Sequence, residues 1–508
     1  MWTINDFFDN NIRKFESKEA LVHGEERLTW QQLGERVNRR AAWLQRQGVR
    51  KGDKVALQGR NSTSWVEFFF AIVRCGGVVV PVNHKLAATE VEYILRDSGS
   101  MLWFVDSSIF TELELSPERA GVSVFALDED SSDSTIEPAG YGKQGAFIPV
   151  DVSENDLAEL LYTSGTTGQP KGCMHSHKTI LLAALSTSVV GWGFNIQDRV
   201  LIGMPIWHSA PLNCQLIGAL YVGATLVLLR EYGPRKFLET IQEEQCTVFF
   251  GAPIAFILPV QTLDDFDSFD ISSMRAWLFG GGPIDSSTSN MLREKFKSDR
   301  FYQVYGMTES GPTGISLYPH EQIMKAGSIG KYALTGCDLR VVRTDGKNAN
   351  PGDVGEIWLR AQSMMLGYHN QPNATMQAFD NGWYRTGDLA RMDEDGYLFI
   401  VDRTKDMIIT GGENVYSKEV EDVLVNCPGV SEVAVIGIPH ADWGETVAAI
   451  VVSQDNQELD IENVKGFCQG KLAPYKIPRL IQFVDNIPRT PTGKMMKYKI
   501  REKFNQIN

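Results

Sequence analysis

The sequence predicts an α/β protein: a large N-terminal domain of stacked α/β layers with a β subdomain, followed by a small α+β C-terminal domain. Three observations carry this. From residue 28 onward, apolar runs of strand length alternate with helix-length segments, which makes repeated βα units and hence a parallel sheet covered by helices. Beyond Tyr305 glycines become frequent and short strands such as LRVVRT, GEIWLR and GYLFIV take over. A chain of 508 residues also exceeds one ordinary core, so roughly two to four packed units are expected.

At the N-terminus, Phe7, Phe8, Ile12 and Phe15 share one face of a helix, and the charges between them argue against a secretory signal. Thr29 caps a helix running to about Gln47. KVALQG then reads as a strand, WVEFFFAIVRC as a buried helix and GVVVPV as the next strand. Thr89 opens a helix through Arg96, and MLWFVD follows as a strand. The polar, acidic stretch 128–145 reads as a surface connection. A second βα series resumes at LAELLYTSG and continues through RVLIGM, ATLVLL, TVFFGA and RAWLFGG. Past Asp402 the order is helix (418–426), strands EVAVIGI and TVAAIVV, helix (461–471), strand LIQFVD and a basic tail. The expected boundary lies at about 402 to 406, giving domains 1–402 and 403–508.

Composition narrows the function. With 43% hydrophobic and 22% charged residues, the chain is an ordinary globular one. Its 49 Lys+Arg against 63 Asp+Glu, a net charge of -14, argue against a nucleic-acid surface. An anionic ligand must therefore be held by local devices such as backbone N–H nests and single lysines. No apolar run approaches the ~20 residues that span a membrane, so no integral membrane segment is expected, while peripheral membrane contact stays open. The seven cysteines are scattered singly with no C-x-x-C pair, which suits reduced thiols in the cytoplasm rather than disulfides or structural zinc.

The most informative stretch is TSGTTGQPKG, residues 163–172, directly after the apolar strand LAELLY. Hydroxyls and glycine N–H groups so dense after a strand can wrap phosphate oxygens, and Lys171 adds a point charge. A flexible surface turn is the plain alternative. A P-loop fails on spacing, because Gln169 and Pro170 separate the second glycine from the lysine and Gly172 follows it.

Here the sequence resembles the acyl- and aryl-CoA ligases of the ANL superfamily of adenylate-forming enzymes. The resemblance continues in order through GGGP (280–283), VYGMTES (304–310), GWYRTGDLA (382–390), GYLFIVDRTKDMIITGGENVYSKEVE (396–421) and PRTPTGKMMK (488–497), covering nearly the whole chain. Within the superfamily it is most similar to fatty-acyl-CoA ligases.

The resemblance implies that Thr163, Ser164, Gly165, Thr166, Thr167, Gly168 and Lys171 form a mobile loop over the ATP phosphates. Gly281, Gly282 and Pro283 would lie along the adenine, where missing side chains admit a flat ring, although a tight strand-to-helix turn would need the same glycines. Val304, Tyr305, Gly306, Met307 and Thr308 complete the ATP site, with Tyr305 stacked on adenine and Thr308 touching phosphate. Glu309 would bind Mg²⁺ through a hard carboxylate oxygen; outside this motif it would read as a helix-start residue. Asp388 would accept from the ribose hydroxyls and Arg403 would support ribose or phosphate, against plainer readings as a turn aspartate and a surface ion pair. His208, in MPIWHSAP, matches the family's residue beside the acyl pocket; alone it would read as a satisfied core histidine. His175 and His177 are given no role.

Lys494 is the expected catalytic residue of the first step, since a carboxylate attacking the α-phosphate builds negative charge that a positioned ammonium stabilises. Lys405 occupies the family's hinge, where the small domain reorients, and Gly411 with Gly412 would line the CoA channel for the second step. The implied activity is an AMP-forming acid:CoA ligase, an acid-thiol ligase of fatty acid metabolism. It would use ATP and CoA as co-substrates, Mg²⁺ as cofactor and a small-molecule carboxylic acid, with fatty acid the first choice. Trp207, Ala210 and Asn213 suggest an uncharged acyl body without separating a fatty chain from an aryl ring. An aryl-CoA ligase of benzoate or cinnamate type and an enzyme loading a separate carrier protein stay as alternatives, and a scaffold that merely binds nucleotide is disfavoured by the intact motif. A homodimer is compatible with the family.

Overall fold

The structure is a computed structural model describing residues 2–115, 121–127, 146–163, 170–282, 284–410, 413–440, 443–454, 459–469, 471–489, 495–497 and 499–502. The chain divides into two compact units, Met1–Leu339 with Leu359–Tyr384, and Arg340–Trp358 with Arg385–Asn508.

The first unit opens with α1 (Ile4–Lys14), capped by Thr3, and its apolar face is the expected one: Phe8 is buried while Phe7, Ile12 and Phe15 pack against the core. A hairpin, β1 (Glu19–His23) and β2 (Glu26–Thr29), leads into α2 (Trp30–Arg46). Thr29 caps α2 by accepting from Gln32 N while Gln32 returns the bond, as the sequence predicts. Then come β3 (Lys54–Gln58), the almost wholly buried α3 (Thr63–Arg74), β4 (Val78–Val82), α4 (Ala88–Ser98), β5 (Ser100–Val105) and β6 (Ser123–Ala126). The helix α4 starts one residue earlier than expected, because Glu90 accepts from Ala87 N at 2.9 Å and closes the first turn there. The stretch 128–145 lies outside the described residues.

With β7 (Leu157–Thr163) and β8 (Lys171–Ser176), these strands make a six-stranded sheet ordered β6-β5-β3-β4-β7-β8. The second βα series supplies β9 (Arg199–Ile202), β10 (Thr225–Leu228), β11 (Val248–Gly251), β12 (Ala276–Gly280), β13 (Phe301–Gly306) and β14 (Gly314–Leu317). They join the first hairpin in an eight-stranded sheet ordered β14-β13-β12-β11-β9-β10-β1-β2. One hydrophobic cluster takes Val55 and Leu57 from the six-stranded sheet, Val200 and Val248 from the eight-stranded one, and Phe8, Leu33, Val37, Phe68 and Phe69 from α1 to α3. Helices therefore fill the space between two sheets, the stacked layers that the sequence predicts.

After Tyr305 the short strands are β15 (Cys337–Val342), β16 (Val354–Ala361), β17 (Phe379–Asp380), β18 (Trp383–Met392) and β19 (Leu398–Arg403). In the second unit, β20 (Ile408–Thr410), β21 (Glu413–Val415), β22 (Val430–His440), β23 (Gly444–Ser453) and β24 (Leu480–Phe483) form a sheet ordered β21-β20-β23-β22, with β24 parallel to β23. Both faces are buried: Val433 and Val435 pack with helices Ser417–Leu424 and Ile461–Cys468, while Ala434 and Ile436 pack with Ile487 and Ile500. All seven cysteines are free thiols. No described helix is long and apolar enough to cross a membrane.

The turn from β13 into β14 rests on two glycines facing each other. A Cβ on Gly306 would lie 2.1 Å from Pro312 O, and one on Gly314 would lie 2.2 Å from Tyr305 O. Gly306→Ala is therefore expected to lower stability by about 1–3 kcal/mol and to weaken ATP binding, checked by thermal unfolding and ATP titration. Gly466→Ala is the control: its Cβ meets nothing within 4 Å inside helix Ile461–Cys468, so stability should hold or rise.

Candidate active site

The predicted phosphate loop is the connection of an antiparallel hairpin. Thr163 and Lys171 face each other as its last pair, and Thr163 Oγ1 donates to Lys171 O at 3.5 Å. Ser164, Gly165, Thr166, Thr167 and Gly168 lie outside the described residues. The Lys171 ammonium sits 5.1 Å from the centre of the Tyr368 ring. The Tyr368 hydroxyl donates to Glu309 Oε1 at 3.0 Å and lies 3.4 Å from the Tyr384 hydroxyl. Burial pushes both phenols above their ordinary value, so they stay neutral. One tyrosine thus touches Lys171, predicted to meet the ATP phosphates, and Glu309, predicted to bind magnesium.

Sequence reasoning missed Tyr368; its only signal is a Gly-Tyr step after an apolar run. Tertiary pairing places it: Leu366 N donates to Met174 O at 2.8 Å, Met174 N to Gly367 O at 3.0 Å and His369 N to Gly172 O at 2.7 Å, laying residues 366–369 along β8.

The residues predicted to flank adenine meet at the carboxyl ends of two parallel neighbours, where open α/β sheets bind ligands. Gly280 on β12 pairs with Val304 on β13, and a Cβ there would lie 2.5 Å from Val304 O, so only glycine lets the strands close. Gly281 adopts φ +75° with open space around its missing side chain, and a Cβ on Gly282 would meet Pro253 at 3.6 Å. Pro283 lies outside the described residues. Val304, Tyr305 and Gly306 end β13, and Met307 leads into the short turn Thr308–Ser310 that carries Glu309.

His175 supports that turn. It is fully buried, and its Nε2 lies 2.8 Å from the Thr308 carbonyl while Nδ1 lies 3.4 Å from Thr179 Oγ1. The carbonyl partner assigns the proton to Nε2. Burial pushes the imidazole down to about 4, so it is neutral. A histidine left without a role by its sequence context therefore holds the residue before Glu309. Ser209 Oγ lies 3.1 Å from Thr308 Oγ1, which brings His208, also pushed by burial down to about 4, beside the same turn. Trp207 is anchored by donating from Nε1 to His84 Nδ1 at 3.0 Å, and Ala210–Leu216 continues as a π-helical turn, a feature frequent at functional sites.

In the second unit, Asp388 and Arg403 face each other across β18 and β19, with Arg403 Nε 2.8 Å from Asp388 Oδ1. Thr386 Oγ1 accepts from Asp388 N at 3.0 Å. The aspartate is 5% exposed and the Arg403 side chain 35% exposed, so the pair sits at the surface with its carboxylate buried. Lys405 is exposed in the turn between β19 and β20. Gly411, Gly412 and Lys494 lie outside the described residues.

Glu309 fits a magnesium ion of the kind that keeps water and phosphate oxygens. It offers a hard carboxylate whose Oε1 is steadied by Tyr368, and among the described residues no group of three His, Cys, Asp or Glu side chains could cage a metal.

A family model for AMP-binding enzymes matches residues 8–369, and one for the AMP-binding enzyme C-terminal domain matches residues 419–494. The chain belongs to the AMP-binding enzyme family. It is an adenylate-forming enzyme of the ANL superfamily. This AMP-binding enzyme is 36% identical to the long-chain-fatty-acid–CoA ligase FadD13 of Mycobacterium tuberculosis, over 94% of this chain and 93% of the relative. It is 35% identical to a feruloyl-CoA synthase of Amycolatopsis, over 96% of each. Among solved structures, the o-succinylbenzoate CoA synthetase MenE of Bacillus subtilis, in complex with its acyl-adenylate intermediate, superposes with a TM-score of 0.87 at 30% identity, over 97% of both chains. The same synthetase with ATP and a magnesium ion superposes at 0.85 with 30% identity, over 97% of this chain and 98% of that one.

Tyr368→Phe keeps the ring under Lys171 and removes the hydroxyl from Glu309. The expected result is a loss of about 1 kcal/mol in stability and several-fold weaker ATP binding with magnesium present, while magnesium-free ATP binding is unchanged, checked by calorimetric titration. Acid sensitivity follows from His84, His175, His177 and His208, each held by burial at about 4 against an ordinary 6.5. They bind protons more readily unfolded, so their stabilising effect is complete above about 6.5 and is lost as pH falls toward 4. Denaturant melts should show stability dropping across that interval, with a shallower slope in His175→Gln.

Proposed function

We propose that the enzyme is an acid:CoA ligase that attaches a carboxylic acid to AMP and then transfers the acyl group to CoA. In the first step a carboxylate oxygen attacks the α-phosphorus of ATP, the bond to pyrophosphate breaks, and an acyl adenylate forms. In the second, the CoA sulfur attacks the acyl carbon, the thiol proton is lost and AMP leaves. The observation that carries this reading is the match of CoA ligases along more than nine-tenths of both chains, with a solved acyl-adenylate complex among them.

The residues support it in named roles. Lys171 and the 163–168 loop hold the outer phosphates, Gly281, Gly282 and Tyr305 flank adenine, Thr308 touches phosphate, Asp388 takes the ribose, and Arg403 supports ribose or phosphate. Magnesium bound through Glu309 would neutralise phosphate charge. Lys494 stabilises the charge that develops at the α-phosphate. The working domains are 1–402, which contains the span matched by the AMP-binding model, and 403–508, with Lys405 as hinge and Gly411 and Gly412 along the CoA channel.

Fatty acid is the preferred substrate class. An aryl acid is the second reading, favoured by the feruloyl-CoA synthase, whose 35% identity is nearly that of the fatty-acid enzyme at 36%.

Pyrophosphate release across fatty acids of graded length, benzoates and cinnamates, with and without CoA and with mass analysis of products, tests the reading. One acid class should give a CoA thioester; pyrophosphate release without a CoA product would turn the enzyme into a carrier loader. Lys494→Ala should slow adenylation by at least ~10²-fold and largely spare thioester formation from preformed acyl adenylate. Equal loss in both steps would remove Lys494 from its role.

A further inference from the structure

Lys497, three residues beyond Lys494, is not placed as a surface lysine. Its side chain is 13% exposed, and its ammonium lies 2.7 Å from Glu421 Oε1 and donates to Ser417 Oγ at 2.5 Å. Lysine is seldom buried without such partners. Ser417 in turn donates from Oγ and from its backbone N to Asp402 Oδ2, at 2.8 Å and 2.5 Å. Glu421 Oε1 also accepts from Val435 N at 2.8 Å. The ammonium therefore ties three pieces of chain together: the end of β19 at Asp402, the helix Ser417–Leu424, and the segment leaving Lys494.

Around Lys497 the C-terminal segment is fastened on both sides. Met496 N donates to Pro488 O at 2.8 Å, and Arg489 forms a bridge with Met495, so the chain entering and the chain leaving residues 490–494 are stitched to each other. Further on, Ile500 is buried in the core and Arg501 Nη1 lies 3.0 Å from Asp406 Oδ1. The stitch fixes the two ends of that stretch relative to one another. Arg489, which pairs with Glu432 on β22 at 2.8 Å, ties the entering end to the sheet, and Lys497 ties the leaving end to the helix Ser417–Leu424 and, through Ser417, to β19.

We infer that Lys497 is a positioning residue for adenylation: its ammonium, held by Glu421 and Ser417, anchors the chain three residues beyond Lys494. This rests on the acid:CoA ligase reading. A group that stabilises charge only in the transition state loses most of its effect when displaced by about an ångström, whereas ground-state binding by other residues is little changed.

The test uses the full chain and measures the two half-reactions separately. Lys497→Met should lower kcat for acid-dependent pyrophosphate release at least ~10-fold with KM for ATP within about twofold, and thioester formation from preformed acyl adenylate should stay within about threefold. Lys497→Arg, which keeps a cation for Glu421, should recover most of the adenylation rate. Lys497→Met combined with Glu421→Gln removes both charges, relieves the unpaired carboxylate and guards against loss of fold; it should melt near the wild type yet remain slow in adenylation. Recovery of adenylation in that double variant, an equal fall in both half-reactions of Lys497→Met, or no fall in either would overturn the role. A wild-type chain that releases no pyrophosphate with any acid fails the ligase reading itself, and the positioning role falls with it.

Discussion

The close parallel pairing of β12 with β13 is the constraint on which the first unit's site depends. Parallel neighbours deliver their carboxyl ends to the same edge, so residues 280–282 and 304–306 emerge side by side although far apart in sequence. The approach is too tight for a side chain at Gly280, and in the turn that follows β13 Gly306 and Gly314 likewise each face a backbone carbonyl at a distance no Cβ tolerates. Glycine here is a packing requirement first, and the flat open surface beside Gly281 and Gly282 is its by-product. The same edge presents Tyr305 and leads directly into the turn that carries Glu309.

Around that edge the protein uses neutral buried polar groups rather than charges. His175 donates to the Thr308 carbonyl, Tyr368 donates to Glu309, and Ser209 meets Thr308. Beneath them Glu159 is wholly buried, bonded by Asn213 at 3.1 Å and pushed by burial up to about 8, so it too is neutral near pH 7. Neutral donors position charged atoms without neutralising them, which leaves Lys171 and Glu309 charged for their proposed partners, phosphate and metal. A site for a polyanionic nucleotide in a protein of net charge -14 needs this economy, because it cannot rely on a general positive field.

The second unit solves a different problem with partly buried ion pairs. Asp388 with Arg403, and Lys497 with Glu421, hold largely buried carboxylates against their cations, so that removing the cation would strand the carboxylate. Such pairs add little net stability compared with apolar packing, but they fix geometry. A two-faced sheet core of Val, Ala and Ile supplies the stability, and the polar links set where the short functional segments leave it.

The sequence by itself determined the layered α/β architecture, the helix cap at Thr29, the loop that follows the strand LAELLY and the order of the motifs, because these rest on local periodicity, capping and strand-flanking turn chemistry. Helix ends slipped by a residue or two where a side chain such as Glu90 closed the first turn. What only the tertiary structure decided is which distant groups touch. Tyr368 reaches Lys171 and Glu309 through an added strand pairing, His175 meets a carbonyl in the turn after β13, and Lys497 becomes mostly buried because Ser417 and Glu421 face it. No period or motif encodes such contacts; they exist only once sheets and helices have packed, since hydrogen bonds between side chains depend on positions in space that the local sequence does not specify.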